Sequence, residues 1–189
     1  MSLEWILKLA DFCRVATWRL RLALCGGRIG RRCSIAPGVR LECGRGRPIV
    51  LGDGVRLLRG VVLSTCPGGR ITLESRVYVG EYGIVRSAAE ICIARDTIIA
   101  PHAQIEDFDA ANATPEGGPL AADPIRIGRD VWFGAGVTVR RGVQVGDQAV
   151  LGAGAVADRD IPDRGVAVGV PARVVRFRGD SSEKGRSPA

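Results

Sequence analysis

The chain contains one histidine, His102, in the stretch IAPHAQ, and just downstream an acidic cluster of Glu106, Asp107 and Asp109. An imidazole titrates near neutral pH and can take a proton from an attacking hydroxyl. A carboxylate does the same when desolvation or a neighbouring like charge raises its pKa. His102, Asp107 and Asp109 are therefore the candidate catalytic bases. The plainer readings are an exposed turn histidine and a solvated acidic loop, and the residue types leave both open. One histidine excludes a three-histidine zinc centre. The six cysteines, Cys13, Cys25, Cys33, Cys43, Cys66 and Cys92, contain no CxxC pair.

A short repeat positions these groups. From Ile127 to Val156 the sequence reads IGRDVW FGAGVT VRRGVQ VGDQAV LGAGAV, five six-residue blocks that open on Ile127, Phe133, Val139, Val145 and Leu151. A fixed short period means one unit stacked repeatedly, each burying its apolar face only against its neighbours. The frame extends upstream through blocks opening at Ile29, Ile35, Leu51, Leu57, Leu73, Val79, Val85, Ile93, Ile99 and Ile105. The first and fifth side chains of a block point inward, and the fourth position, commonly Gly, marks a tight turn at positive φ. His102 falls on such a fourth position. The repeat is interrupted near Cys43 to Pro48 and Cys66 to Arg70, and by a longer insertion at 106–124 that is expected to project as a loop on the working face.

Composition agrees with stacked short turns. Of 189 residues, 46% are hydrophobic and 25% charged, which suits one soluble domain, while 5% aromatic content and 26 Gly disfavour a core built on large rings. The net charge of +7 suits anionic phosphates or an anionic membrane face. Arginine scattered through turns without aromatic platforms gives no case for nucleic acid. Unpaired cysteines without a cleavable signal point to a reducing cytoplasm, with the thiols acting as buried small hydrophobes.

The chain divides into an amphipathic N-terminal helix at 1–26, the repeat region at 27–178 with its loop, and a tail at 179–189 of disordered composition. On a helical period Trp5, Ile6, Leu9, Phe12, Cys13, Ala16, Leu20 and Leu24 share one broad face. The helix is too charged to span a bilayer. It either caps the first coil or a subunit contact, or it lies on a membrane through residues 3–24, peripheral at the inner face.

The repeat, the segment DVWFGAG at Asp130 to Gly136 and the ending DIPDRGVAVGVPARVVR at Asp160 to Arg176 closely resemble the hexapeptide-repeat acyltransferases. The similarity is greatest to the branch of galactoside, maltose and exopolysaccharide O-acetyltransferases. This resemblance implies an all-β fold, a left-handed parallel β-helix with three hexapeptides per coil and a short N-terminal helix. It also implies a homotrimer with active sites between subunits, acetyl-CoA as acyl donor, and a sugar hydroxyl of a cell-surface glycan or its precursor as acceptor.

The resemblance assigns roles residue by residue. Gly134, Ala135 and Ala153, with Gly152 and Gly154, match small positions along which relatives lay the pantetheine arm, and the Ala135 amide matches the one expected to face the thioester carbonyl. Arg159, Arg173 and Arg176 match basic positions suited to coenzyme phosphates, which guanidinium groups bind bidentately. The histidine that relatives use as base maps onto Ala110, and acceptor-pocket positions map roughly onto Gly80 and Ala88, near Glu81, Tyr82 and Arg86. The departure at Ala110 leaves a second reading, a catalytically impaired homologue that serves as trimeric scaffold or partner subunit.

Overall fold

A chain that turns a corner every six residues needs left-handed residues at its tight corners, and it places one at the fourth position of most blocks. Gly38, Gly54, Gly60, Gly136, Gly142 and Gly154 have φ between 68° and 77°. Where glycine is absent the geometry persists: Arg32, Arg76, Tyr82, Asp96, His102, Asp130, Gln148 and Arg164 have φ between 54° and 63°. Each such residue costs roughly 1–2 kcal/mol of backbone strain. Hydrogen bonds between coils offset it, as in the amide of His102 donating to the Glu81 carbonyl at 2.9 Å and that of Gly136 to Pro101 at 2.9 Å.

The computed structural model describes residues 15–46, 48–109 and 121–179. They form a left-handed parallel β-helix. Ile127 pairs with Val145, Phe133 with Leu151 and Val139 with Ala157. These last coils are thus offset by eighteen residues, the three blocks expected from the repeat, and the insertions widen the offset further upstream, as in Ile29 with Leu51 and Ile93 with Ile127. The first face runs from Arg28–Ile29 to Gln144–Val145 and the third from Arg40–Glu42 to Val156–Ala157, with six strands each. The second face begins at Ser34–Ile35 and has eight strands, the last of which, Arg173–Phe177, runs antiparallel to Gly165–Val168. First and fifth positions fill the interior as expected, with Phe133, Val137, Leu151 and Ala155 among the side chains withdrawn from solvent. Each such large aliphatic or aromatic group contributes roughly 1.5–3 kcal/mol.

All three insertions fall on one edge, between the third and first faces, so the other two corners stay regular. Thr97 takes a fifth position among valines. It keeps its buried hydroxyl satisfied by donating to the Gly128 carbonyl at 2.9 Å and accepting from the Val131 amide at 3.3 Å.

The helix corrects one expectation. Over residues 15–24 it buries Val15, Trp18 and Leu22 against the first coil, whereas Ala16, Leu20 and Leu24 of the anticipated apolar face are exposed. The remainder of that face, at residues 1–14, lies outside the described residues, as do Cys13 and residues 180–189 of the anticipated tail. Among the described residues no helix is long and apolar enough to cross a membrane.

The described cysteines also differ from expectation in being half-buried rather than fully buried. Cys25 donates to the Cys43 carbonyl at 3.3 Å and Cys33 to that of Gly52 at 3.1 Å. Desolvation, reinforced by the Cys25 thiol, pushes Cys43 up to about 12, so it stays protonated at neutral pH.

Coil stacking explains the second-position glycines. A Cβ at Gly134 would lie 2.5 Å from the Ala153 amide nitrogen, a backbone atom that cannot swing aside. Gly134→Ala is expected to cost roughly 1–3 kcal/mol as an overpacking change, which lowers the thermal midpoint by about 2–12 °C in a chain of this size. Melting followed by circular dichroism checks this; an unchanged midpoint would show that the coils do not meet there.

Candidate functional site

One corner of the prism is bare. Between the second and third faces the fourth positions of successive coils are Gly60, Tyr82, His102, Gly136 and Gly154. The Tyr82 ring covers Gly60, within 2.5 Å of where a Cβ would sit. The exposed His102 imidazole stacks on Tyr82, with centroids 5.4 Å apart and planes inclined by 11°. Above His102 the corner opens: a Cβ added to Gly136 or Gly154 would meet nothing within 4 Å, and Ala135 and Ala153 are exposed beside them.

Third-position amides point outward from these turns, and the two regular corners treat them differently. Between the first and second faces, acidic side chains of a neighbouring coil cap four of them. Asp53 accepts from Arg31 at 2.7 Å, Glu74 from Arg95 at 3.1 Å, Asp147 from Arg129 at 2.9 Å and Asp163 from Asp147 at 2.8 Å. On the bare corner the corresponding residues are Pro37, Arg59, Glu81, Pro101, Ala135 and Ala153. Proline has no N–H to give, so the fold does not use a donor there. Among the described residues no acceptor meets the amides of Ala135 or Ala153. Two spare donors one coil apart, on the stretch of corner above His102 where Gly136 and Gly154 leave open space, suit an extended ligand bearing carbonyl oxygens.

The opposite edge of the third face carries the base of the long loop. Asp107 is fully buried, and its carboxylate accepts from the Ser87 hydroxyl at 2.6 Å and from the amides of Ala88 and Ala89 at 2.6 and 3.0 Å. These contacts assign it to anchoring the loop rather than to meeting an acceptor. The loop base closes as a short antiparallel pairing, with Asp123 donating its amide to Asp107 and Asp109 donating its own to Ala121. Arg141 holds Asp123 at 2.6 Å, and Arg86 pairs with Glu106 at 3.2 Å while lying over the Phe108 ring. Asp109 lines a cavity of about 230 Å³ together with Gln104, Glu106, Thr138, Arg140 and Arg141. Ala110 lies outside the described residues.

The expected binding and catalytic residues therefore divide between two edges of one face. His102, Gly134, Ala135 and Ala153 share the bare corner; Asp109 and Arg159 lie on the loop edge. Arg159 and Arg173 converge on one oxygen of Asp158, at 3.4 and 3.3 Å. Burial alone would raise the Asp158 carboxyl, but Arg159 and Arg173 outweigh it and hold the group below its ordinary value. Arg176 lies further along the final strand, opposite Val166, and is exposed. Two features go beyond the motif match. Ser87 is the buried partner of Asp107, which only folding reveals, and Tyr82 supports His102, a pairing signalled by bulky residues in successive turn slots that usually hold glycine.

The repeat and fold agree with known proteins. A family model described as the hexapeptide repeat of succinyl-transferase matches residues 124–159. In both repeat and fold the chain is similar to hexapeptide-repeat acyltransferases. It is 36% identical to the galactoside O-acetyltransferase of Escherichia coli over 46% of this chain and 43% of that one. To the putative lipopolysaccharide biosynthesis O-acetyl transferase WbbJ of the same organism it is 31% identical, over 62% and 65% of the respective lengths. The chain thus spans less than two thirds of these curated relatives. The N-acyltransferase AntD of Bacillus cereus, solved with dTDP and 3-hydroxybutyryl-CoA, shares the fold with a TM-score of 0.71 at 18% identity, covering 86% of this chain and 88% of its own. Galactoside acetyltransferase in complex with coenzyme A aligns with a TM-score of 0.52 at 26% identity, covering 79% and 64%.

The anchoring role of Asp107 has a measurable consequence. Asp107→Ala strips the acceptor from three donors, and is expected to lower stability by about 3 kcal/mol and to speed proteolysis within 107–124. Urea unfolding and limited digestion read the two effects, and a variant as stable as the parent would refute the role.

Proposed function

We propose that this protein is an acetyl-CoA-dependent acyltransferase that acetylates a sugar hydroxyl of a cell-surface glycan or its precursor. The observation that carries the reading is the bare corner, with the spare Ala135 and Ala153 amides one and two coils above His102. Acetyl-CoA supplies an activated acyl carbonyl. A pantetheine arm fits a surface where side chains are missing and amides are unclaimed, and Arg159, Arg173 and Arg176 supply guanidinium groups for phosphates. The Ala135 N–H stabilises the negative charge that grows on the carbonyl oxygen during attack. His102 sits one strand spacing away, about 4.8 Å. It takes the proton of the acceptor hydroxyl and returns it to the departing sulfur. The sugar approaches over the third face from the cavity at Asp109, Glu106 and Arg140. Asp109 is the alternative base.

The sugar-modifying relatives support the acceptor class, and the half-buried free thiols suit a reducing cytoplasm. We take the working assembly to be a homotrimer. Ile98 and Trp132, exposed side by side on the second face, supply apolar contact area for it. Sedimentation of the full chain is expected to give three times the monomer mass, and Trp132→Glu to reduce it.

Proline occupies the third position elsewhere on this corner, so Ala135→Pro removes one N–H while keeping a tolerated backbone. It is expected to lower kcat by about 10²–10³-fold, and His102→Ala by about 10²–10⁴-fold, in acetyl transfer to a panel of sugars. If Asp109→Asn falls and His102→Ala does not, the base is Asp109. Coenzyme A binding without turnover on any acceptor would instead favour the scaffold reading.

A further inference from the structure

We propose that the N-terminal end of this molecule docks on an anionic lipid surface. The helix over residues 15–24 has two apolar sides. One, Val15, Trp18 and Leu22, is spent plugging the first coil. The other leaves Leu20 and Leu24 68% and 73% exposed, well beyond what closing the solenoid requires. In the sequence the same three-to-four spacing continues upstream through Cys13, Leu9 and Ile6.

Charge identifies what covers that side. Residues 15–46 hold seven arginines, Arg19, Arg21, Arg28, Arg31, Arg32, Arg40 and Arg45, and a single acid, Glu42. Glu42 pairs with Arg40 at 3.8 Å, Arg19 donates to the Gly30 carbonyl at 2.7 Å, and Arg21 lies over Trp18. Among the described residues no carboxylate pairs with the side chains of Arg28, Arg31, Arg32 or Arg45. A second copy would bring like charges together around the leucines, which is unfavourable. A membrane containing anionic lipid offers an apolar interior for Leu20 and Leu24 and headgroups for the arginines. The reading is independent of the proposed chemistry and would hold the third face beside a lipid-borne acceptor.

The full-length protein is mixed with vesicles of phosphatidylcholine alone and with vesicles containing about one quarter phosphatidylglycerol, and pelleted. The bound fraction is expected to rise at least about tenfold with the anionic lipid and to fall as salt screens the charges. Leu20→Glu with Leu24→Glu, both at exposed positions, is expected to abolish binding while leaving the thermal midpoint unchanged, and Arg28→Glu with Arg32→Glu to weaken it. Equal binding to both vesicle types, no binding to either, or a leucine double variant that pellets like the parent overturns the proposal. So does a leucine double variant whose only effect is a smaller particle in sedimentation, which would assign the face to a contact between copies.

Discussion

Everything in this molecule depends on a left-handed backbone conformation recurring at the fourth position of most blocks. That single φ value turns the chain from one face to the next and brings the first and fifth side chains inward. It also aims the third-position amide outward. The eight non-glycine residues held there show that the stacked coils enforce the geometry even on arginine and tyrosine side chains. Summed over many corners the strain is large, and only the continuous aliphatic interior and the ladders between coils outweigh it.

The same turn serves two purposes at two corners. Where an Asp or Glu of a neighbouring coil reaches across to an exposed amide, the corner is structural and closed. Where alanine, glycine and proline follow one another, the identical backbone carries no caps, and the Ala135 and Ala153 amides are left unclaimed. The difference lies in what was omitted from the sequence rather than in any added motif. Tyr82 and His102 then mark where that open track ends, because their stacked rings fill the corner that glycine leaves empty above them.

The fold was legible because its cause is local and periodic: Ile127, Phe133 and Val139 declare the inward positions, and their partners lie one coil away. The acid caps were less visible, since Asp53 or Asp147 acts on a residue that only the stacking of neighbouring coils brings near. The anchoring contacts of Asp107 are invisible in the sequence because they depend on Ser87 and on the pairing at the loop base. The helix was misread for a related reason. Its apolar residues occupy two sides, and periodicity reports that a face is apolar without saying which one meets the coil. Gly134 was legible as small, and the Ala153 backbone behind it requires that smallness.

The two ends of the prism are closed by different devices. At one, Leu22 and Trp18 lie across the first coil; at the other, the chain reverses and Arg173–Phe177 runs against Gly165–Val168 with a register shift at Val166 and Ala167. An unsealed stack of parallel strands offers its last ladder to any other copy, and copy upon copy would propagate a filament. Neither end here matches the other, so one molecule cannot continue the coil of the next. The solenoid thereby stays a particle of fixed length, with a defined number of corners along which a ligand can lie.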